Sequence, residues 1–226
     1  MNRILRYISK NPNKSESNYS KEDTESEIID SDLESEYSND SSYYNDEDTE
    51  NNLLENYLEK DYIDSGHENK FDEDWDIWYH HLKNNWKIDG FNKIFKITSI
   101  KEFWDFNNNI NLLGGINSHH FFMMKKNITP IWEDPLNKSG GCWSIKIPTE
   151  KSLELWIKLS SYIVGKTLVN DPDLINGISI CAKNPITSVV KIWNSDTTKN
   201  SIQLLPVDIL NEYGFNIIYK SHIPEY

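Results

Sequence analysis

Arginine is all but missing from this chain: Arg3 and Arg6 are its only two, and everything after them relies on lysine for positive charge. Lysine delivers charge without the planar fork that grips a phosphate or carboxylate at two points. Cysteine is as scarce. Cys142 and Cys181 are too few for a disulfide framework or a thiolate zinc site, so nothing demands an oxidising compartment. No apolar run approaches membrane-spanning length, and Met1 to Lys10 lacks the apolar core of a secretory signal. A soluble, cytoplasmic chain is therefore the expectation. Gly114-Gly115 and Gly140-Gly141 lack the lysine, hydroxyl and helix that make a phosphate loop. No nucleophile elbow and no spaced carboxylate pair stand out, which leaves no visible catalytic group.

Tryptophan is absent from the first 74 residues, and all eight (Trp75, Trp78, Trp86, Trp104, Trp132, Trp143, Trp156 and Trp193) fall between residues 75 and 193. Charge divides the chain at the same place. Residues 1 to 74 hold 22 acids and 7 bases, a net of −15, whereas the remainder is close to neutral at +2. The acidic part is rich in Ser, Asn, Asp, Glu and Tyr and poor in branched apolar residues. It cannot bury enough surface to offset its ordering entropy. We therefore expect a largely disordered tail over residues 1–70 and one folded domain over 71–226. One patch in the tail, Leu53, Leu54, Tyr57, Leu58, Tyr62 and Ile63, has near-helical spacing suited to ordering against a partner or the core.

From Trp75 onward, apolar runs of strand length alternate with turn signals: Trp75–Tyr79, Ile94–Ile97, His119–Met124, Trp143–Ile147, Ile178–Ala182, Val189–Trp193 and Phe215–Lys220. These predict a largely antiparallel sheet. Three segments read as helices. Ser99 with Glu102 makes a capping box, Thr149 and Glu150 open a run through Leu155, Trp156, Leu159 and Ile163 to Gly165, and Pro206 starts a third that Gly214 ends. In the second helix, Ile157 lies off the apolar stripe, a hint of surface left for a partner.

Six histidines invite a metal or acid–base reading, but His80-His81 and His119-His120 are adjacent pairs whose members point to opposite faces of a strand. Packed or solvated imidazoles are the expectation, with no metal and no cofactor. The tryptophans carry more. Most serve as core, whereas Trp86, between Asn85 and Lys87, and Trp132, after Pro130-Ile131 and before Glu133-Asp134, sit in loop-like settings where burial is hard to explain. An aromatic face beside a carboxylate, at the mouth of the Gly140-Gly141 turn, suits a flat, hydrogen-bonding, electron-poor ligand.

The run Lys125, Ile128, Pro130, Trp132, Glu133, Asp134, Asn137, Lys138, Gly140, Gly141 and Trp143, with Ile100, Glu102, Phe103 and Trp104 before it and Trp156, Gly165 and Trp193 after it, resembles the eukaryotic translation initiation factor 4E family of messenger-RNA cap-binding proteins. The resemblance covers about residues 71 to 222. It implies an α+β fold: a curved antiparallel sheet of about eight strands with three long helices on the convex face. It further implies a non-enzymatic monomer that binds the 7-methylguanosine triphosphate end of capped mRNA. Trp86 and Trp132 would sandwich the base, each face gaining about 1–3 kcal/mol from stacking and cation–π attraction. Glu133 would accept the guanine N1 and N2 protons, and Trp193 would pack on the methyl group. Family members use arginines for the phosphates. Here Cys142 and Cys181 stand at those positions, which leaves Lys183 and Lys191 as the phosphate-binding candidates. The chain also stops short of the family's C-terminal loop, which implies an altered preference for the nucleotides after the cap.

Ile100, Trp104, Ile157 and Gly165 match the patch that receives a Tyr-x-x-x-x-Leu-hydrophobic helix of the scaffold factor 4G or of repressors. Lys158 replaces a family acid there, and Lys166 adds a second positive charge, so a partner bearing complementary acids is expected. The tail's own Tyr57, Tyr62 and Ile63 have that spacing in degenerate form. Recruitment of capped mRNA to a scaffold is the leading expectation. The alternatives are a cap-binding repressor, a decapping-type hydrolase and an interaction module with a vestigial slot.

Overall fold

The computed structural model describes residues 69–80 and 85–222. The tail patch from Leu53 to Ile63 and the second histidine of the first pair, His81, lie outside the described residues. The first element, β1 (Lys70–His80), is followed by β2 (Phe91–Ser99), β3 (His120–Lys125), β4 (Gly141–Pro148), β5 (Ile175–Asn184), β6 (Thr187–Asn194) and β7 (Ile217–Ser221). They form one sheet in the order β2-β1-β3-β5-β6-β4-β7. Every pairing is antiparallel.

Seven strands rather than about eight are present among the described residues. Between Ser195 and Pro206, Asp196 accepts from the Thr198 N–H and Ser201 from the Gln203 N–H. Such local bonds offer the backbone an alternative to a ladder. The last strand starts at Ile217, not Phe215, because Gly214–Asn216 closes a tight turn that leaves Phe215 fully exposed.

Besides a single turn at Gly115–Ser118, three α-helices are present among the described residues, but only one is long: α1 (Ile100–Asn107), α2 (Thr149–Val164) and α3 (Val207–Tyr213) have 8, 16 and 7 residues. Asparagines stop α1. Asn107 Nδ2 donates back to Phe103 O at 2.9 Å and Asn109 Nδ2 to Asp105 O at 2.8 Å, tying side chains to the last carbonyls. At its start Ser99 Oγ accepts from the Glu102 N–H, as the capping box predicts. The Glu102 carboxylate reaches one residue further back, to the Thr98 N–H and hydroxyl at 2.8 and 2.7 Å. α2 ends where Gly165 was expected to end it, yet the left-handed conformation falls on Lys166, with φ 56°.

Alternation along each strand separates two faces. Trp75, Ile77, Phe121, Trp143, Ile145, Ile180 and Ile192 join Phe103 and Phe106 of α1, Leu155, Trp156, Leu159 and Ile163 of α2 and Ile209 of α3 in the main core. Trp75, Trp143 and Trp156 are fully buried there, and losing such a ring to alanine costs about 3–5 kcal/mol. Asn107 Oδ1 accepts from Trp156 Nε1 at 2.9 Å, which locks α1 to α2. The face without helices carries a smaller cluster, Phe91, Phe122, Met124, Ile128 and Trp193. That open face holds the site.

Candidate functional site

A slot of about 570 Å³ opens on the uncovered face, with Trp86 and Trp132 at its rim and Phe91, Phe122 and Trp193 among its lining residues. Both rim tryptophans are half exposed, 55% and 48%, as their loop settings predict. Trp86 leans on His80, with ring centroids 4.3 Å apart and planes 23° apart. His80 is buried, and its Nε2 lies 2.7 Å from the Asn85 carbonyl, so one imidazole both stacks under Trp86 and ties down the loop carrying it. Trp193 is buried on β6. Its Nε1 donates to Ser179 Oγ of β5 at 3.1 Å, and its ring meets Phe122 and His222.

Trp132 owes its place to the two residues that frame its turn. The buried Asp134 carboxylate accepts from the Thr129 N–H, the Thr129 hydroxyl and the Leu136 N–H, at 2.9, 2.5 and 3.0 Å. Asn137, fully buried, donates to the Thr129 and Ile131 carbonyls and accepts from Asn176 Nδ2. The loop is thus knitted from inside while Trp132 and Glu133 face water. Gly140 and Gly141 allow the chain to re-enter the sheet: a Cβ would strike the Asn194 carbonyl at Gly140, and the Lys220 carbonyl and Tyr219 hydroxyl at Gly141.

Positive charge lines the slot. Lys183, Lys191 and Lys220 contribute to the wall, and among the described residues no carboxylate does. Ser179 of β5 stands opposite Lys191 of β6 and Cys142 of β4 opposite both Trp193 and Lys220, so alternation turns all of these toward one face. His120 registers the same field: burial first, then Lys191, His80 and Lys183, push its imidazole down to about 3. Burial likewise pushes the Cys181 thiol up, against the pull of Lys183 and Lys191. An anionic ligand suits such a wall.

The sequence-predicted residues divide. Trp86, Trp132, Trp193, Lys183 and Lys191 come together on the slot, as does Cys142. Glu133 does not line it. It is exposed beside Trp132, with no hydrogen bond or ion pair to the other described residues. Sequence reasoning missed Lys220 and the imidazoles His120 and His222. Lys220 was findable, since β7 places it opposite Cys142.

On the helix-covered side, Ile100 and Trp104 of α1 are each 44% exposed. Ile157 of α2 packs partly against the core, and Gly165 is exposed. Lys158 and Lys166, expected to face acids on a partner, have acids of this chain beside them as well. Lys158 Nζ lies 3.0 Å from Asp208 and 3.3 Å from Glu212 of α3, and Lys166 Nζ 3.3 Å from Asp72 of β1. Among the described residues no helix is long and apolar enough to cross a membrane.

An open antiparallel sheet, with helices on one face and a tryptophan-rimmed, lysine-lined slot on the other, defines an α+β domain with an aromatic ligand site. Residues 70–223 match the model of the family described as eukaryotic initiation factor 4E, and the chain belongs to that family. Among its relatives, eukaryotic translation initiation factor 4E-3 of Caenorhabditis elegans is 26% identical over 148 residues, which are 61% of this chain and 58% of that protein. The chain thus spans less than two thirds of that relative. A homolog of the factor from Acanthamoeba polyphaga mimivirus is 37% identical over a shorter stretch of 68 residues, 29% of this chain and 25% of the relative. Among solved structures, the complex of C. elegans eIF4E-3 with the 4E-binding protein Mextli and a cap analog shares the fold, with a TM-score of 0.60 at 24% identity over 68% of this chain and 92% of that one. Ascaris suum eIF4E-3 with an m7G cap gives 0.59 at 22% identity, over 70% and 94%.

Proposed function

We propose that this protein is a non-enzymatic, cytoplasmic cap-binding factor that holds the 7-methylguanosine end of mRNA and presents it to a scaffold partner in translation initiation. The observation that carries the reading is the slot itself: two half-exposed tryptophans at the rim of a cavity lined by Lys183, Lys191 and Lys220 and, among the described residues, by no carboxylate. Methylation at N7 gives guanine a delocalised positive charge, which an indole sandwich of Trp86 and Trp132 favours by about 1–3 kcal/mol per face. In this reading Glu133, whose carboxylate is uncommitted, accepts the guanine N1 and N2 protons. Trp193 meets the methyl group, and Lys183 and Lys191, joined by Lys220, hold the triphosphate. Titration with 7-methyl-GTP and with GTP, monitored by tryptophan fluorescence, tests it. Quenching by the methylated nucleotide at far lower concentration than by GTP, lost in Trp132→Ala, is expected; no response of the wild type to 7-methyl-GTP overturns the reading.

The partner surface in this reading is Ile100, Trp104, Ile157 and Gly165, facing a Tyr-x-x-x-x-Leu-hydrophobic helix of a scaffold or a repressor. A second reading, repression rather than recruitment, is favoured by Lys158, whose charge is engaged by Asp208 and Glu212 of α3 rather than left for a scaffold. Binding of such a helical peptide, lost in Trp104→Ala, supports the surface. Addition of the protein to a cap-dependent translation extract distinguishes the two: stimulation supports recruitment, inhibition repression.

A further inference from the structure

The four strands at one end of the sheet, β5, β6, β4 and β7 in spatial order, contain no aspartate or glutamate, and each contributes one lysine: Lys183, Lys191, Lys146 and Lys220. β1, beyond β3, is the opposite, with Asp72, Glu73, Asp74 and Asp76. The lysines near those acids are engaged, Lys93 with Asp76, Lys96 and Lys126 with Asp74, and Lys125 with Glu73. None of the four strand lysines has an ion pair among the described residues. They also share a face. Ile145 and Ile147 of β4, Val190 and Ile192 of β6 and Ile217 of β7 point into the main core, so alternation turns Lys146, Lys191 and Lys220 to the open face, where Lys183 lines the slot. Lys146 alone lies outside the slot. It is exposed, two residues past Ser144, which stands opposite Lys191. Lys146 and Lys191 are therefore diagonal neighbours, about 7–8 Å apart along the backbone.

We infer that the open face of β4 and β7 beyond the slot is a binding surface for the RNA that follows the cap, with Lys146 holding a backbone phosphate as the first contact outside the slot. This rests on the cap-binding reading. A ligand stacked against Trp86, which lies on His80 of β1, and anchored on Lys183 and Lys191 of β5 and β6 runs across the sheet toward β4 and β7, its last strands. Four unpaired lysines with no acid among them attract a polyanion. An acidic protein segment would have to reach the band on its own, whereas an RNA strand held by its cap is carried onto it, so continuity with the slot favours RNA. Lysine meets a phosphate as a point charge, without a fork to orient it. The surface therefore adds affinity that depends on salt and is indifferent to base sequence.

Affinities for 7-methyl-GTP, for a short single-stranded RNA carrying the 7-methylguanosine cap and for the same RNA uncapped, measured on the full chain and on Lys146→Gln over a range of salt concentrations, test the inference. Lys146 is exposed and outside the slot, so binding of 7-methyl-GTP also reports that the variant is folded. The wild type is expected to bind the capped RNA about three- to tenfold tighter than 7-methyl-GTP. Lys146→Gln should lose most of that difference, leave 7-methyl-GTP binding unchanged and make the slope of log affinity against log salt shallower by about 0.7 for the capped RNA alone. Equal affinity of the wild type for capped RNA and 7-methyl-GTP would overturn the surface. So would an equal loss for both in Lys146→Gln, which would place Lys146 in the triphosphate grip instead. Tighter binding of polyglutamate than of the uncapped RNA, weakened by Lys146→Gln, would give the band to an acidic protein segment and overturn the RNA assignment. A wild type that does not bind 7-methyl-GTP defeats the cap-binding reading itself, whereas failure of this surface alone leaves that binding intact.

Discussion

Trp86 has one face spoken for, since the His80 imidazole stacks beneath it at 4.3 Å while its Nε2 holds the Asn85 carbonyl. A half-exposed indole at the rim of a slot needs such a platform, or its rotamer freedom must be lost again at every binding event. His80→Ala is expected to weaken 7-methyl-GTP binding about tenfold, roughly 1.4 kcal/mol, and His80→Phe, which keeps the stack, to recover part of it. Fluorescence titration reads both, and an unchanged affinity in His80→Ala would show that Trp86 is held by other means. Asn137 plays the matching part for Trp132, with two donated bonds and one accepted in full burial. Asn137→Ala should lower the unfolding free energy by about 2–4 kcal/mol in urea titrations. The rim tryptophans were legible in the sequence because an indole in a polar loop is conspicuous. Their supports were not: an adjacent pair of histidines reads the same whether one ring faces water or props up an indole, and Asn137 looks like any turn asparagine.

Between residue and molecule, strands were far more legible than helices. Each predicted strand run corresponds to an observed strand, because alternation of face is written directly into which residues are apolar. Helix length is set differently. α1 stops after 8 residues because Asn107 and Asn109 turn their amides onto the last carbonyls, a choice that an Asn-rich chain offers at many places and takes at few. The end of α2 was placed correctly, but not the residue that bears the strain. Lys166, at φ 56°, occupies the conformation that glycine adopts freely. Lys166→Gly should therefore stabilise the fold by up to about 1 kcal/mol even though it removes the exposed pair with Asp72, as a rise in the urea midpoint would show. Gly140 gives the opposite case. A methyl there meets the Asn194 carbonyl, one residue past Trp193 on β6, so Gly140→Ala should cost stability and ligand affinity together. A loss of stability with full affinity would mean that the turn can move without moving the slot.

For the whole molecule, the open face gathers lysines and neutral imidazoles, and the pH dependence of folding stems from that arrangement. His120 is pushed down to about 3 by burial and by Lys191, His80 and Lys183, and His222 is lowered by burial and by Lys191 against a bond to the Asn137 carbonyl. In the unfolded chain both titrate near their ordinary value of about 6.5. Between that value and their lower folded values the unfolded state binds more protons, so stability must fall as pH drops, by at most about 1.4 kcal/mol per pH unit for each group. A second set of groups acts lower down. Asp74 is held below the usual carboxylate range by Lys96 and Lys126, and Asp196 by the Thr198 hydroxyl and N–H, so their contributions persist to about pH 4 and vanish only below it. Two windows are therefore expected in urea unfolding of the free protein: a gradual loss from about pH 6.5 toward 5, set by the imidazoles, and a further loss below about 4, set by the carboxylates. His120→Phe removes one titrating group from the first window and none from the second. Its stability should change less than that of the wild type between about pH 7 and 5 and in parallel with it below about 4; identical slopes in the upper window would mean that His120 is not held neutral by burial and its charged neighbours.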